Sequence, residues 1–396
     1  MSTNHTDAAL AALDQFQIEI PSWGFANTGT RFGKFIQPGA ATTTAEKIAD
    51  AGQVHAVTGC CPSLAMHVLW DFPRGIDDVS VAAEQAAAAG IRIGSINPNL
   101  FQDQIYKHGS LGSHDPMVRQ AAIQHLVDSV EIAKVTGSQD ISLWFADGSN
   151  FPGTANIRQR KRWFAEGLAA AYASLAKNQR LLVEYKPFEP AFYHTDIADW
   201  GMATILALAA GPQAKVLVDT GHHYQTQNIE QIVAWLLDEN MLGGFHFNDR
   251  RYADDDLTIG SIDPYQVFRI FFEIHFHRWE QGLSPQIAYM IDQSHNLKPK
   301  IEEMIQTVCT AQELYLKAAL VDFEQLVKHQ QMANLIDAEE CLKRAFFTDV
   351  TPLLAAWRNS RGLDPDPLKA YRVSGYQQKI ENERVEKNSA SGGSYA

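Results

Sequence analysis

The chain is expected to fold as an α/β protein, a (β/α)₈ (TIM) barrel with an additional C-terminal helical extension. Eight short runs rich in branched and aromatic residues end near Trp23, Val68, Ile96, Phe145, Lys186, Asp219, Phe247 and Asp292, with helical stretches between them. The runs Lys215 to Asp219 and Ile287 to Asp292 are apolar rather than alternating, as strands covered on both faces must be. No glycine-rich fingerprint follows the first strand, which counts against the other architecture such alternation allows, an open doubly wound sheet. At 396 residues the chain has the length of a barrel with insertions.

In chain order, residues 1–16 form an N-terminal segment and 17–298 the catalytic barrel. The stretch from Ser22 to Phe32, aromatic and glycine-containing, reads as a long loop over the barrel mouth, suited to a lid or a subunit contact. Cys60 and Cys61 read as structural. One helix is signalled at both ends: Asp115 as N-cap, Pro116 at the first helical position, and Gly137 at the close. Between them Val118, Ala122, Leu126, Val130 and Ala133 recur at helical spacing.

Beyond Asp292 the alternation stops, with a helical stretch from Pro299 to about Gln331 and another from Ala338 to about Arg358. Residues 299–376 are therefore assigned to a helical extension. Its apolar face of Ile301, Met304, Ile305 and Val308 suits either an oligomer contact or packing on its own barrel. Residues 377–396 are expected to be a flexible tail, ending in the small polar run from Ser389 to Ala396.

Composition narrows the function. With 33 Lys plus Arg against 46 Asp plus Glu, the net charge of −13 repels phosphate backbones and anionic lipids, so neither nucleic acid nor membrane is an expected partner. No apolar run is long enough to span a bilayer. The four cysteines, Cys60, Cys61, Cys309 and Cys341, make neither a disulfide framework nor a zinc ribbon, which fits a reducing cytoplasm.

The chemistry-bearing residues fall where a barrel opens its active site. Glu184, Asp219, His246 and Asp292 stand at the ends of apolar strands, where a carboxylate is desolvated and needs a partner. A divalent cation is such a partner, and three carboxylates with one imidazole suit Mn²⁺, Mg²⁺ or Co²⁺. A second group, His222, Asp254 and Asp256, follows closely; if Asp219 reached both ions it would bridge a two-metal site. Taken singly, each of these residues also reads as a helix cap, a salt-bridge partner, a solvated acidic turn or a core histidine. It is the joint pattern that points to metal.

Lys186 lies two residues beyond Glu184, on the same strand face, and would either polarise a carbonyl oxygen or pair with Glu184 or Glu189. His67 and Asp71 are close enough in MHVLWD for the carboxylate to orient the imidazole as a general base. The indole faces of Trp23, Trp70 and Trp144 would wall a sugar pocket, although core packing explains each of them equally well.

Together PSWG, TRF, DGSNFPG, EPAFY, VDTGHH, GGFHFND, YADDD and IDQSHN resemble the L-rhamnose isomerase family, particularly its broad-specificity bacterial branch, from about Gln17 to Tyr376. More distantly, the chain is similar to xylose isomerase. The resemblance implies a barrel enzyme that interconverts an aldose and a ketose with two divalent ions per subunit, usually manganese, as a homotetramer. By position it implies one ion on Glu184, Asp219, His246 and Asp292, and a catalytic ion on Asp219, His222, Asp254 and Asp256. Lys186 then matches the carbonyl-side lysine, His67 the histidine near the sugar's ring oxygen with Asp71 orienting it, and Phe32 an aromatic delivered from a neighbouring subunit.

The expected activity is metal-assisted hydrogen transfer between C1 and C2 of L-rhamnose, with D-allose and D-allulose as further substrates. A metal-dependent epimerase on the same barrel is the alternative. A non-catalytic sugar-binding barrel would be expected to have lost ligands that are all retained here. A phosphoester hydrolase lacks its basic phosphate cradle.

Overall fold

Every expected strand forms, and all eight lie parallel in one sheet: β1 Ile20–Pro21, β2 Ser63–His67, β3 Arg92–Asn97, β4 Asp140–Leu143, β5 Arg180–Glu184, β6 Ala214–Asp219, β7 Leu242–Phe247 and β8 Ala288–Ile291. The computed structural model describes residues 3–27, 29–30, 33–34, 36–189, 193–252, 254, 256–294 and 297–390. Spatial order follows chain order, and a bridge between Glu19 and Met290 closes the barrel, with Glu19 N–H donating to the Tyr289 carbonyl and Ile291 N–H to that of Glu19. Register brings the acids to one rim, Asp219 beside His246 and Leu217 beside Glu184.

A helix α1 (Thr3–Gln15) precedes the barrel, and seven helices join successive strands: α2 Thr44–Thr58, α3 Val79–Ala88, α4 Pro116–Thr136, α5 Ile157–Ala173, α6 Trp200–Ala210, α7 Ile229–Asp238 and α8 Pro264–Gln281. Local signals set their ends. Asp115 accepts from Met117 N–H at the start of α4, and Gly137 leaves it in the left-handed region. Thr43 and Glu46 form a reciprocal capping box on α2.

The C-terminal part corrects several expectations. Helix α9 (Lys300–Ala319) follows β8 and is the barrel's eighth helix, so the barrel does not end at residue 298. Its face of Ile301, Met304, Ile305 and Val308 is fully buried against the same chain and is not an oligomer contact. The stretch expected to reach Gln331 unbroken is two helices, because Asp322 turns its side chain onto Gln325 N–H and starts α10 (Phe323–Gln331). The next stretch likewise divides into α11 (Leu335–Phe346) and α12 (Thr351–Ser360), Pro352 being tolerated only in a first turn. After α13 (Pro367–Val373), residues 376–390 are a helix, α14 (Tyr376–Ala390), with Arg384 and Asn388 buried rather than a flexible tail; residues 391–396 lie outside the described residues. Among the described residues no helix is long and apolar enough to cross a membrane.

Candidate active site

Parallel strands end at one rim, so side chains distant in sequence converge there. Glu184 ends β5, Asp219 ends β6, His246 is the penultimate residue of β7, and Asp292 follows β8. One potential ligand atom from each of these four lies within 4.8 Å of the others, and the same holds for Asp219, His222 and Asp254. Asp219 belongs to both groups, and its carboxylate is wholly buried.

The hydrogen bonds around the two groups leave inward-facing atoms without partners. Asn248 Nδ2 donates to Asp219 Oδ1 at 2.9 Å and Gly221 N–H to the same oxygen at 2.7 Å, while Asp219 Oδ2 has no hydrogen bond. His222 Nδ1 is 3.1 Å from the Tyr185 carbonyl, which turns Nε2 towards Asp254 Oδ2 at 3.5 Å and Asp219 Oδ2 at 3.8 Å. Neither nitrogen of His246 has a partner of hydrogen-bond geometry, although Nδ1 stands 3.2 Å from Glu184 Oε2. Asp254 Oδ1 is likewise unpartnered.

Electrostatics describe the same need for positive charge. Burial drives the Asp219 carboxyl up to about 7, with Glu184, Asp254 and Asp292 adding to the rise. Burial opposes a charged His222, yet Asp219 and Asp254 hold its proton up to about 10; for His246 burial is likewise overcome, by Glu184 and Asp292, up to about 9. Two rings thus retain protons where the acids ask for cations. The two groups gather four carboxylates, Glu184, Asp219, Asp254 and Asp292, against the single ammonium of Lys186, an excess of negative charge that bound cations would balance. Oxygen and imidazole donors with orphaned inward atoms fit such ions.

Other expected residues are placed less uniformly. Asp256 is outside both ligand groups, although burial and the charges of Asp254, Asp292 and Asp219 push its carboxyl well up. Lys186 pairs with Asp254 Oδ2 at 2.8 Å, and its ammonium lies 5.3 Å from the Trp144 ring centre; the Glu189 side chain lies outside the described residues. Asp71 does not orient the His67 ring. Its carboxylate accepts from the His67 backbone N–H, Ser22 Oγ and Lys47 Nζ at 2.6–2.8 Å, because an ammonium and two fixed donors already saturate it. His67 Nδ1 has no partner, and burial together with Lys47 and nearby imidazoles pushes the ring down to about 3, so it is neutral.

The aromatic residues do line the mouth. Trp23 Nε1 donates to Asp292 Oδ1 at 2.8 Å, and its ring meets His67 edge-on at 5.2 Å. Trp70 lies 4.1 Å from His67. Phe101, which sequence reasoning missed, joins Trp70 and His67 to Trp144 at 4.9 Å. It sits in an irregular loop with no periodic signal. Asn248 was also missed, although its position two residues beyond His246 places it on the inward side. Phe32 lies outside the described residues.

Comparison with known proteins agrees with this architecture. Residues 64–296 match the xylose isomerase-like TIM barrel family. A probable sugar isomerase of Rhizobium meliloti is 39% identical over 385 residues, 96% of this chain and 88% of that protein. Another, from Mesorhizobium japonicum, is 38% identical and spans 98% of this chain and 90% of its own length. The solved D-allulose 3-epimerase from Methylomonas sp. shares the fold with a TM-score of 0.53 at 12% identity, over 74% of this chain and 95% of that one. By this match across most of the barrel, and by relatives aligned along nearly its whole length, the chain belongs to the xylose isomerase-like TIM barrel family.

Proposed function

We propose that the protein is an aldose–ketose isomerase that uses two divalent ions per subunit, Mn²⁺ first, with Co²⁺ or Mg²⁺ as substitutes. Its substrates are L-rhamnose and L-rhamnulose, with D-allose and D-allulose as a second pair, and its assembly is a homotetramer. The observation that carries the reading is the Asp219 carboxylate shared by two ligand groups at the barrel mouth. The names of the two full-length relatives, both probable sugar isomerases, support the reaction class.

In this reading Glu184, Asp219, His246 and Asp292 hold one ion, and Asp219, His222, Asp254 and Asp256 the other. Bound there, the ions supply Lewis-acid polarisation of neighbouring oxygens on an open-chain sugar. Lys186, held by Asp254, directs its ammonium at the carbonyl end and stabilises charge developing on that oxygen. The neutral His67 ring accepts a hydrogen bond from a sugar hydroxyl near the ring oxygen. Trp23, Trp70 and Trp144 cover the sugar's C–H faces and exclude water, and Phe32 completes a neighbouring subunit's pocket.

The test is an assay of metal-stripped protein with L-rhamnose and with D-allose, before and after Mn²⁺ is added, following product by NMR in D₂O. Ketose that forms only with Mn²⁺ is the expected result. Little deuterium at C1 would assign a hydride shift, and extensive deuterium a proton relay. Bound metal with no ketose from either sugar would replace the isomerase with an epimerase or a different aldose.

A further inference from the structure

The segment between β1 and α2 carries Trp23, which stands at the barrel mouth against Asp292 and His67. It leaves β1 as a tight turn (Ser22–Phe25), forms a two-stranded arm (Gly29–Thr30 with Gly33–Lys34), and returns through a neck where Ala26 bridges Ala41. Ala41 N–H donates to the Phe25 carbonyl at 2.9 Å, and Gln37 N–H to Asn27 Oδ1 at 2.9 Å. Between Gln37, whose carbonyl accepts from Ala40 N–H at 3.1 Å, and Ala41, the chain runs outside helix and strand and leaves the carbonyls of Pro38, Gly39 and Ala40 to side-chain partners.

Helix α14 supplies those partners from the other end of the chain. Asn388 Nδ2 donates to the Pro38 carbonyl at 2.7 Å and to that of Ala40 at 3.1 Å, while its Oδ1 accepts from Asn27 Nδ2 at 2.8 Å. Arg384 Nη1 donates to the Gly39 carbonyl at 2.8 Å, and its guanidinium forks onto both oxygens of Asp50 on α2 at 2.7 and 2.9 Å. Both side chains are almost fully buried. The approach is close: a Cβ on Gly39 would sit 2.9 Å from Gln377 Nε2. At its far end the same segment touches the ligand groups directly, through the Trp23 hydrogen bond to Asp292.

We propose that α14 is the positioning element of this segment, and that Arg384 and Asn388 fix the neck so that the Trp23 turn meets the substrate at a set distance. The inference rests on the isomerase reading for its substrate. It assigns neither residue to the chemistry. A buried amide that bridges two carbonyls and a third side chain costs ordering once, in folding; without it the sugar must order the neck on binding. The loss therefore falls on KM.

The experiment compares wild type with Asn388→Ala and Arg384→Met in the Mn²⁺-loaded enzyme. It measures KM and kcat with L-rhamnose and D-allose, bound manganese per chain, and amide hydrogen exchange across residues 25–41. Asn388→Ala is expected to raise KM about three- to tenfold, the weight of one or two hydrogen bonds, with kcat and metal content within about twofold and exchange faster at Gln37 and Ala41. Asn388→Gln, which keeps the donor, should restore part of KM. Faster exchange with unchanged KM, or a loss of kcat together with metal, would overturn the proposal. Failure of the isomerase reading is separate, since it would show as wild type that makes no ketose. Unchanged exchange in Asn388→Ala would defeat the anchoring whatever the reaction.

Discussion

At the floor of the barrel Glu19 is buried, and its Oε1 accepts from Ser95 N–H at 2.9 Å and Ser95 Oγ at 2.5 Å. Its carboxylate lies where a side chain at position 94 would begin, so a larger residue there would displace it from Ser95. Nearby, Arg180 donates to Asp140 at 2.8 Å and to the Gln286 carbonyl at 2.6 Å. At the mouth, by contrast, Asp219 Oδ2, Asp254 Oδ1 and both nitrogens of His246 have no hydrogen-bond partner. Burial raises carboxyl groups at both ends, Glu19 and Asp140 below, Asp219 and Asp292 above. Of these two sets of acids, the one at the mouth is the set whose surroundings leave ligand atoms without a partner. Satisfied polar groups at the strand N-termini stabilise the barrel, whereas unsatisfied ones at the C-termini are arranged for something that binds.

The largest effect should separate the two ends outright. Asp219→Asn should lose both ions and lower isomerase activity by about 10³-fold or more, while Lys186→Met should retain the ions and lose about 10²-fold in turnover. Metal analysis beside ketose assays checks this, and equal metal loss in the two variants would erase the division of roles. At the floor, Arg180→Met strands the partly buried Asp140 carboxylate and should cost about 2 kcal/mol of stability, read as a lower urea midpoint. The activity of its folded fraction should be unchanged; an altered kcat would break the contrast.

A smaller test uses histidines. His275 in α8 is packed against Tyr315, and burial with the Arg278 charge pushes its ring down to about 3 from the ordinary 6.5. The unfolded chain takes up a proton below 6.5 that the folded chain refuses. The stabilising contribution is therefore full above 6.5 and is lost as pH falls from 6.5 towards 3. In that window His275→Gln should show a shallower decline of stability with falling pH, by about one proton, in urea titrations at several pH values. An unchanged slope would mean that His275 is not held neutral.

Much of the site was legible because it sits at strand ends. Glu184, Asp219, His246 and Asp292 each close an apolar run, and a parallel barrel brings all such ends to one rim whatever their separation in sequence. His222 and Asp254 were legible by proximity to those ends. Asp71 was not, because the partners that saturate it, Ser22 and Lys47, come from other elements. Phe101 lies in a loop that no period marks. The helical breaks after α9 and α11 depend on single residues, Asp322 and Pro352, inside stretches whose overall pattern reads as helix.

By itself the sequence determined the class of fold, the strand order and the donor atoms gathered at the mouth, since apolar runs, caps and strand-end acids are local properties. Tertiary structure alone decided that α9 closes the barrel with its apolar face inward, that Lys186 pairs with Asp254, and that α14 reaches back to the neck near residue 40. Such meetings span as many as 361 residues of chain, as where Asn388 meets Asn27. Such a meeting is set by how the packed elements leave donors and acceptors unsatisfied, and no short stretch of sequence carries that information.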